Sequence, residues 1–337
     1  MLSMIRSMVP NVHDIPMLTY SSYREFEHTG ERPGFQDPYF MRRAMLTRTL
    51  VEVIMGDQTM VEPLENLLWA ICEETSWVVP AHEEQGPDYW DINPRVVRTE
   101  PLGAHTALTR EPDSIDLFAA ETGAILAETV YLVGDQIAPE VRQRVKNELE
   151  RHIFKPYLAF GRQHWWFKGA LNWNGVCNGS IGLAFFYMED DLQTRAEALA
   201  MVLEGFEAYI ATGFEADGGS IEGVGYWNYG LMYFVALAER LREISGGELD
   251  LIATKRMKDI AYYPVGMALK PPMYLNFGDA PDTVNLSAGI AQRIAERTNV
   301  PELRALVGSN TKPDEHSYSI AKLPIMLRQI VWWDGEA

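Results

Sequence analysis

The sequence predicts an all-α fold, on three observations. Apolar residues recur at helical spacing through most of the 337 residues, runs that alternate with period two are few, and the helical segments follow one another across Gly-, Pro- or Asp-rich turns. Ten or more helices in succession, with no fixed-length repeat between them, point to paired helices closing into a full or partial toroid rather than a repeat solenoid.

The elements follow in order. Helices are expected over roughly 39–56 and 60–75, separated by Gly56 and Asp57. Over 114–133 the apolar face is so wide that the helix must be buried between neighbours, and Ser114 is placed to cap it. In 138–160, Val141, Val145, Leu149 and Ile153 recur every four residues with charges between them. Segments 192–212, 228–245, 252–269, 284–297, 301–308 and 316–332 also read as helices. Two long unperiodic stretches, 76–104 and 213–227, interrupt the pattern, and loops of that length in a packed domain are often functional. Residues 1–38 read as an N-terminal extension and 39–337 as the helical domain.

Composition narrows the function. The chain is 47% hydrophobic and 23% charged, which is ordinary for a globular protein. Two cysteines, Cys72 and Cys177, exclude a disulfide framework. The N-terminus carries no sustained apolar run of the signal-peptide kind, so a cytoplasmic location is expected, although a secreted chain trimmed of its leader would read the same. A net charge of −18 argues against nucleic acid and anionic membranes as partners. The seven histidines form no close metal-binding pair, and no Gly-rich phosphate loop carries a lysine, so neither metal nor cofactor is expected.

Four stretches carry chemistry. WAICEETSWVVPAHEEQGPDYWD, 69–91, ends a helix near Glu74 and continues as an aromatic-rich loop with His82, where Trp and Tyr either stack on sugar faces or plug a helical array. In GRQHWWFKGALNWNGVCNG, 161–179, the cations Arg162, His164 and Lys168 interleave with Trp165, Trp166, Phe167 and Trp173, a combination suited to an acidic saccharide. Asn172 and Asn174 follow just before a new helix, where amides and free backbone N–H groups suit a carboxylate. Glycines and asparagines weaken a helix, and a turn facing a ligand would explain them. In FEADGGSIEGVGYWNYGLMYFVALAERL, 214–241, a glycine-rich acidic loop with Asp217 and Glu222 leads into a helix whose Tyr226, Tyr229 and Tyr233 share one face. In KPPMYLNFGDAPD, 270–282, Asn276, Phe277, Gly278 and Asp279 read as a loop whose Asp279 is placed to cap the next helix.

In this order, WAICEE…WVVPAH, NWNGVCNG, DGGSIEGVGYWNYG and NFGDA resemble the heparinase II/III-like polysaccharide lyases, over roughly residues 40–333. The resemblance implies an incomplete (α/α) toroid lacking the C-terminal β-sandwich of that family, since the sequence stops at IVWWDGEA, about where the sandwich would begin. It also implies β-elimination at a uronic acid: Asn172 or Asn174 neutralises the carboxylate, and Tyr226 or Tyr229 serves as acid and sometimes base. His82, Arg162, His164, Lys168, Trp166, Trp173, Glu222 and Asn276 are then expected to bind a uronate-containing poly- or oligosaccharide. The family's histidine beside the asparagine motif is absent here, where Leu171 and Trp173 stand, so the base is left open.

Two alternatives stand beside the lyase. One is a toroidal glycoside hydrolase using Asp217 and Glu222 as paired carboxylates. The other is a non-catalytic carbohydrate-binding toroid. Apolar surface around Trp332 and Trp333 offers a route to oligomerisation.

Overall fold

The structure, a computed structural model, describes residues 2–82, 114–276, 280–308 and 321–335. It is mostly helical, with one small antiparallel hairpin among the described residues. The chain divides into two compact units: Met1–Trp165 with Leu183–Leu199 and Glu315–Leu323, and Trp166–Gly182 with Ala200–Asp314 and Pro324–Ala337.

In the first unit, α1 (Leu2–Met8) and α2 (Tyr20–Thr29) pack on α3 (Pro33–Ile54), which in turn packs on α4 (Val61–Cys72) and α5 (Leu117–Val133). The stretch read as an N-terminal extension therefore contributes two helices and the start of a third. Helix α6 (Pro139–Leu149) continues through a π-helical turn, Glu150–Phe154, into α7 (Lys155–Phe160). Pro156 has no N–H to give the carbonyl of His152, and the widened turn falls where the α-helical ladder would have needed that bond.

Helix α5 is buried through most of its length, as its wide apolar face requires, and exposes only Tyr131 and Leu132 in its last turn. By length and composition Leu117–Gln136 passes for a membrane span, but 78% of its 18-residue apolar window is buried inside the protein, as in the core helix of a globular unit. Its cap is Asp116 rather than the expected Ser114: Asp116 Oδ1 accepts from Ala119 N at 2.7 Å.

Buried polar side chains tie this unit together. Arg43, its side chain 2% exposed, meets Glu74 twice, at 3.0 Å and 2.7 Å, and Arg42 adds a third bond to Glu74 at 3.1 Å. The Arg43 guanidinium lies 3.3 Å from the centre of the Tyr39 ring. The Tyr39 hydroxyl, raised in pKa chiefly by burial, bonds the Trp77 carbonyl at 2.8 Å. Trp77 stacks on His152 at 4.3 Å and donates from Nε1 to the Ile71 carbonyl.

The division between units falls inside α8 (Asn172–Met188) and α9 (Leu192–Thr212). The second unit continues with α10 (Gly223–Ile244), α11 (Lys255–Met267), the hairpin β1 (Ala268–Lys270) and β2 (Met273–Tyr274), α12 (Ala288–Thr298), α13 (Pro301–Gly308) and α14 (Leu323–Trp332), whose last nine residues belong here. The pair α12–α13 packs closely, α10 and α11 both pack on α12, and α11 packs on α13. Thr254 caps α11 through Met257 N at 3.1 Å.

Candidate functional site

In the second unit, NWNGVCNG is not a turn before a helix. It is the first two turns of α8, which opens at Asn172. Its glycines face a neighbouring backbone. A Cβ on Gly179 would stand 2.6 Å from the carbonyl carbon of Tyr233, one on Gly175 would collide with the Gly230 carbonyl, and one on Gly182 with the Leu237 side chain. Gly175, Gly179 and Gly182 thus form a stripe facing α10, in direct backbone contact at the first two and against the Leu237 side chain at the third, a closeness that any side chain would prevent.

The asparagines hold the start of α8 in place. Asn172 donates from its backbone N–H to Glu222 Oε2 at 2.6 Å and from Nδ2 to Glu222 Oε1 at 2.7 Å. The helix start does grip a carboxylate, and that carboxylate belongs to the residue just before α10. Asn174 donates to the Gly169 carbonyl at 3.0 Å and accepts from Asn178 at 2.8 Å, while Asn178 also donates to the Phe167 carbonyl. Both motif asparagines are buried, Asn172 at 2% and Asn174 at 0% exposure.

Helix α10 begins at Gly223, five residues earlier than its apolar periodicity suggests. Tyr226 and Tyr229 are half-buried on its first two turns, and Tyr233 is fully buried one turn further on. The shared face of the three tyrosines thus runs from a partly open end into the core. Trp227 is buried and donates to the Ile260 carbonyl at 3.0 Å, and Asn228 accepts from Ser287 N at the start of α12. Behind the helix start, Tyr209 of α9 packs against Gly175 and Gly230. Its phenol is pushed up in pKa by burial first and by the charge of Glu222 second.

The loop before α10 is pinned rather than loose. Arg256 donates to the carbonyls of Ile210, Phe214 and Glu215, at 3.1, 2.5 and 2.7 Å. Gly218, at φ +90°, lies so close to the backbone of Asp259 that a side chain would not fit. Asp217 is exposed and accepts from Gly219 N at 3.0 Å. Tyr263 lies nearby, its phenol raised in pKa by burial and then by the charge of Asp217.

The other expected residues fall differently. Trp166 is fully buried and serves as core, not as a stacking face, whereas Trp173 is half-buried. Lys168 is exposed and pairs with Glu204 at 2.6 Å. Asn276 is exposed, and Asp279 lies outside the described residues. In the first unit, His82 is buried, bonds Asp116 at 2.9 Å and stacks on Phe118 at 5.2 Å. Arg162 is exposed on the turn after α7. His164 is 2% exposed, and burial drives its pKa down to about 3, so it is a neutral core imidazole at pH 7 and not the cation expected. The remainder of the long loop 76–104 beyond His82 lies outside the described residues.

Arg43, Tyr209 and Arg256 have no local sequence signature, because their roles rest chiefly on partners distant in sequence: Glu74 for Arg43, Gly175 and Gly230 for Tyr209, and Ile210, Phe214 and Glu215 for Arg256. Among the described residues, no three His, Cys, Asp or Glu side chains are grouped to hold a metal ion. The chain has no significant match among protein-family models or curated proteins.

Proposed function

We propose that this chain is a polysaccharide lyase of the heparinase II/III-like kind, an (α/α) toroid cleaving a uronate-containing polysaccharide by β-elimination. The observation that carries the reading is the Asn172–Glu222 clamp. It couples the two motifs on which the resemblance chiefly rests, and it sets half-buried tyrosines on the helix that the clamp anchors.

The chemistry explains why such a pairing is useful. The C5 proton of a uronate is weakly acidic, and its removal becomes feasible when the adjacent carboxylate is neutralised by hydrogen bonds. In this reading the start of α8 neutralises it through Asn172, whose Nδ2 gives one hydrogen to Glu222 and has a second for the substrate, while Asn174 is fully buried and bonded to Gly169 and Asn178. Tyr226 or Tyr229 protonates the leaving O4, and either tyrosine acting as base must be brought down from a pKa of about 10 by nearby cations or hydrogen bonds. Trp173, half-buried beside Asn172, offers a ring for a sugar face.

Glu222 is ill placed for the competing hydrolase role, since both its oxygens accept bonds from Asn172. Mass spectrometry of a digest separates the two reactions. Elimination gives a non-reducing-end product one water lighter than hydrolysis does. Products carrying the added water would overturn the lyase reading.

A further inference from the structure

We infer that Glu222 is a positioning residue for the proposed reaction, acting on the substrate through Asn172 rather than touching it. The inference rests on the lyase reading and gives one of its residues a different role, since Glu222 otherwise stands as a sugar contact or an acid.

A carboxylate offers only acceptors. Its two oxygens take one backbone N–H and one side-chain N–H from the same residue, at 2.6 and 2.7 Å, so the Asn172 amide has a single orientation, with Nδ2 toward Glu222. Without that anion the amide would turn over at little cost, because nitrogen and oxygen ends fill the same space. Hydrogen bonds to an ionised acceptor are about twice as strong as neutral ones. Asn172 Oδ1, an acceptor, is buried and has no hydrogen-bond partner among the described residues, so what the held amide still offers a substrate carboxylate is the second hydrogen on Nδ2.

Position reinforces the point. Glu222 ends the glycine-rich loop and immediately precedes α10, four residues before Tyr226, while Asn172 opens α8. One contact therefore orients the amide and sets the start of the tyrosine helix. The glycine stripe beyond it brings the two helices too close to slide, and the un-ionised phenol of Tyr209 backs the junction.

The test compares Glu222→Gln, Glu222→Ala, Asn172→Ala and the Ala/Ala double variant, in turnover of the best uronate polysaccharide and in thermal unfolding. Glu222→Gln keeps the volume and one acceptor, so it remains informative if Glu222→Ala folds poorly. Positioning requires that Glu222→Ala lower kcat by about tenfold or more with KM changed less than about threefold. Glu222→Gln should fall between it and wild type, and the double variant should be no slower than Asn172→Ala. A raised KM with kcat kept, or losses that multiply in the double variant, would overturn the inference. Should wild type turn over no uronate, the lyase reading fails by itself. The unfolding cycle then decides the clamp: non-additive midpoint shifts uphold it, and additive ones overturn it.

Discussion

Gly179 lies against the backbone of Tyr233, so close that a Cβ would stand 2.6 Å from its carbonyl carbon. This contact accounts for glycines that otherwise weaken a helix. Their cost in backbone entropy is offset by direct backbone contact between α8 and α10, and the clamp at Asn172 and Glu222 lies at one end of that contact.

A methyl group at this crossing should therefore be costly. Gly179→Ala is expected to destabilise the protein by about 2 kcal/mol or more through overpacking. Gly266→Ala, on α11 with nothing within 4 Å of its added carbon, should be neutral or stabilising by up to about 1 kcal/mol. Urea unfolding of the two variants gives the comparison, and equal effects would deny that the stripe matters.

The first unit depends on a buried ion pair. Removing one partner, as in Arg43→Met, leaves Glu74 charged and buried with only Arg42 beside it, and should cost about 3–5 kcal/mol. Replacing both, as in Arg43→Met with Glu74→Leu, should cost less than the sum of the singles, which a double-mutant cycle in urea measures.

Acid should weaken this unit in two stages. Burial lowers the His152 imidazole below its usual 6.5, so the unfolded chain takes up that proton first and stability declines as the pH falls below about 6.5. Glu148 follows. Burial by itself would raise its carboxyl, but contacts with His152 at 3.5 Å and Arg151 at 2.9 Å hold it at about 2, against 4.5 ordinarily. Its contribution is complete above about pH 4.5 and is lost between there and about 2. Unfolding midpoints between pH 7 and 3 should show both stages, and Glu148→Gln should flatten the lower one.

Much of the fold was legible in the sequence, and the reasons are local. Periodicity alone gives 192–212 and 301–308 their observed bounds. The start of α10 was not legible. Gly223 to Trp227 lack an apolar period, and what precedes them is held by Asn172, fifty residues away. The same limit applies to the glycines of α8, whose reason lies on another helix. His164 and Trp166 have the residue types of a saccharide site, and only their burial shows that they are core. The sequence reads the two asparagines as a turn facing a ligand's carboxylate, whereas Asn172 opens α8 on the chain's own Glu222 and Asn174 bonds Gly169 and Asn178, partners that no local pattern reveals.

The most direct test of the lyase reading is a continuous absorbance assay near ~230 nm, where the C4–C5 double bond left by elimination absorbs, over hyaluronan, chondroitin, heparan sulfate, alginate and glucuronan. The expected result is a steady rise with at least one of them, abolished by Tyr→Phe at 226 or at 229 and retained in the other variant. No rise with any substrate, or a rise unaffected by both substitutions, would contradict the account.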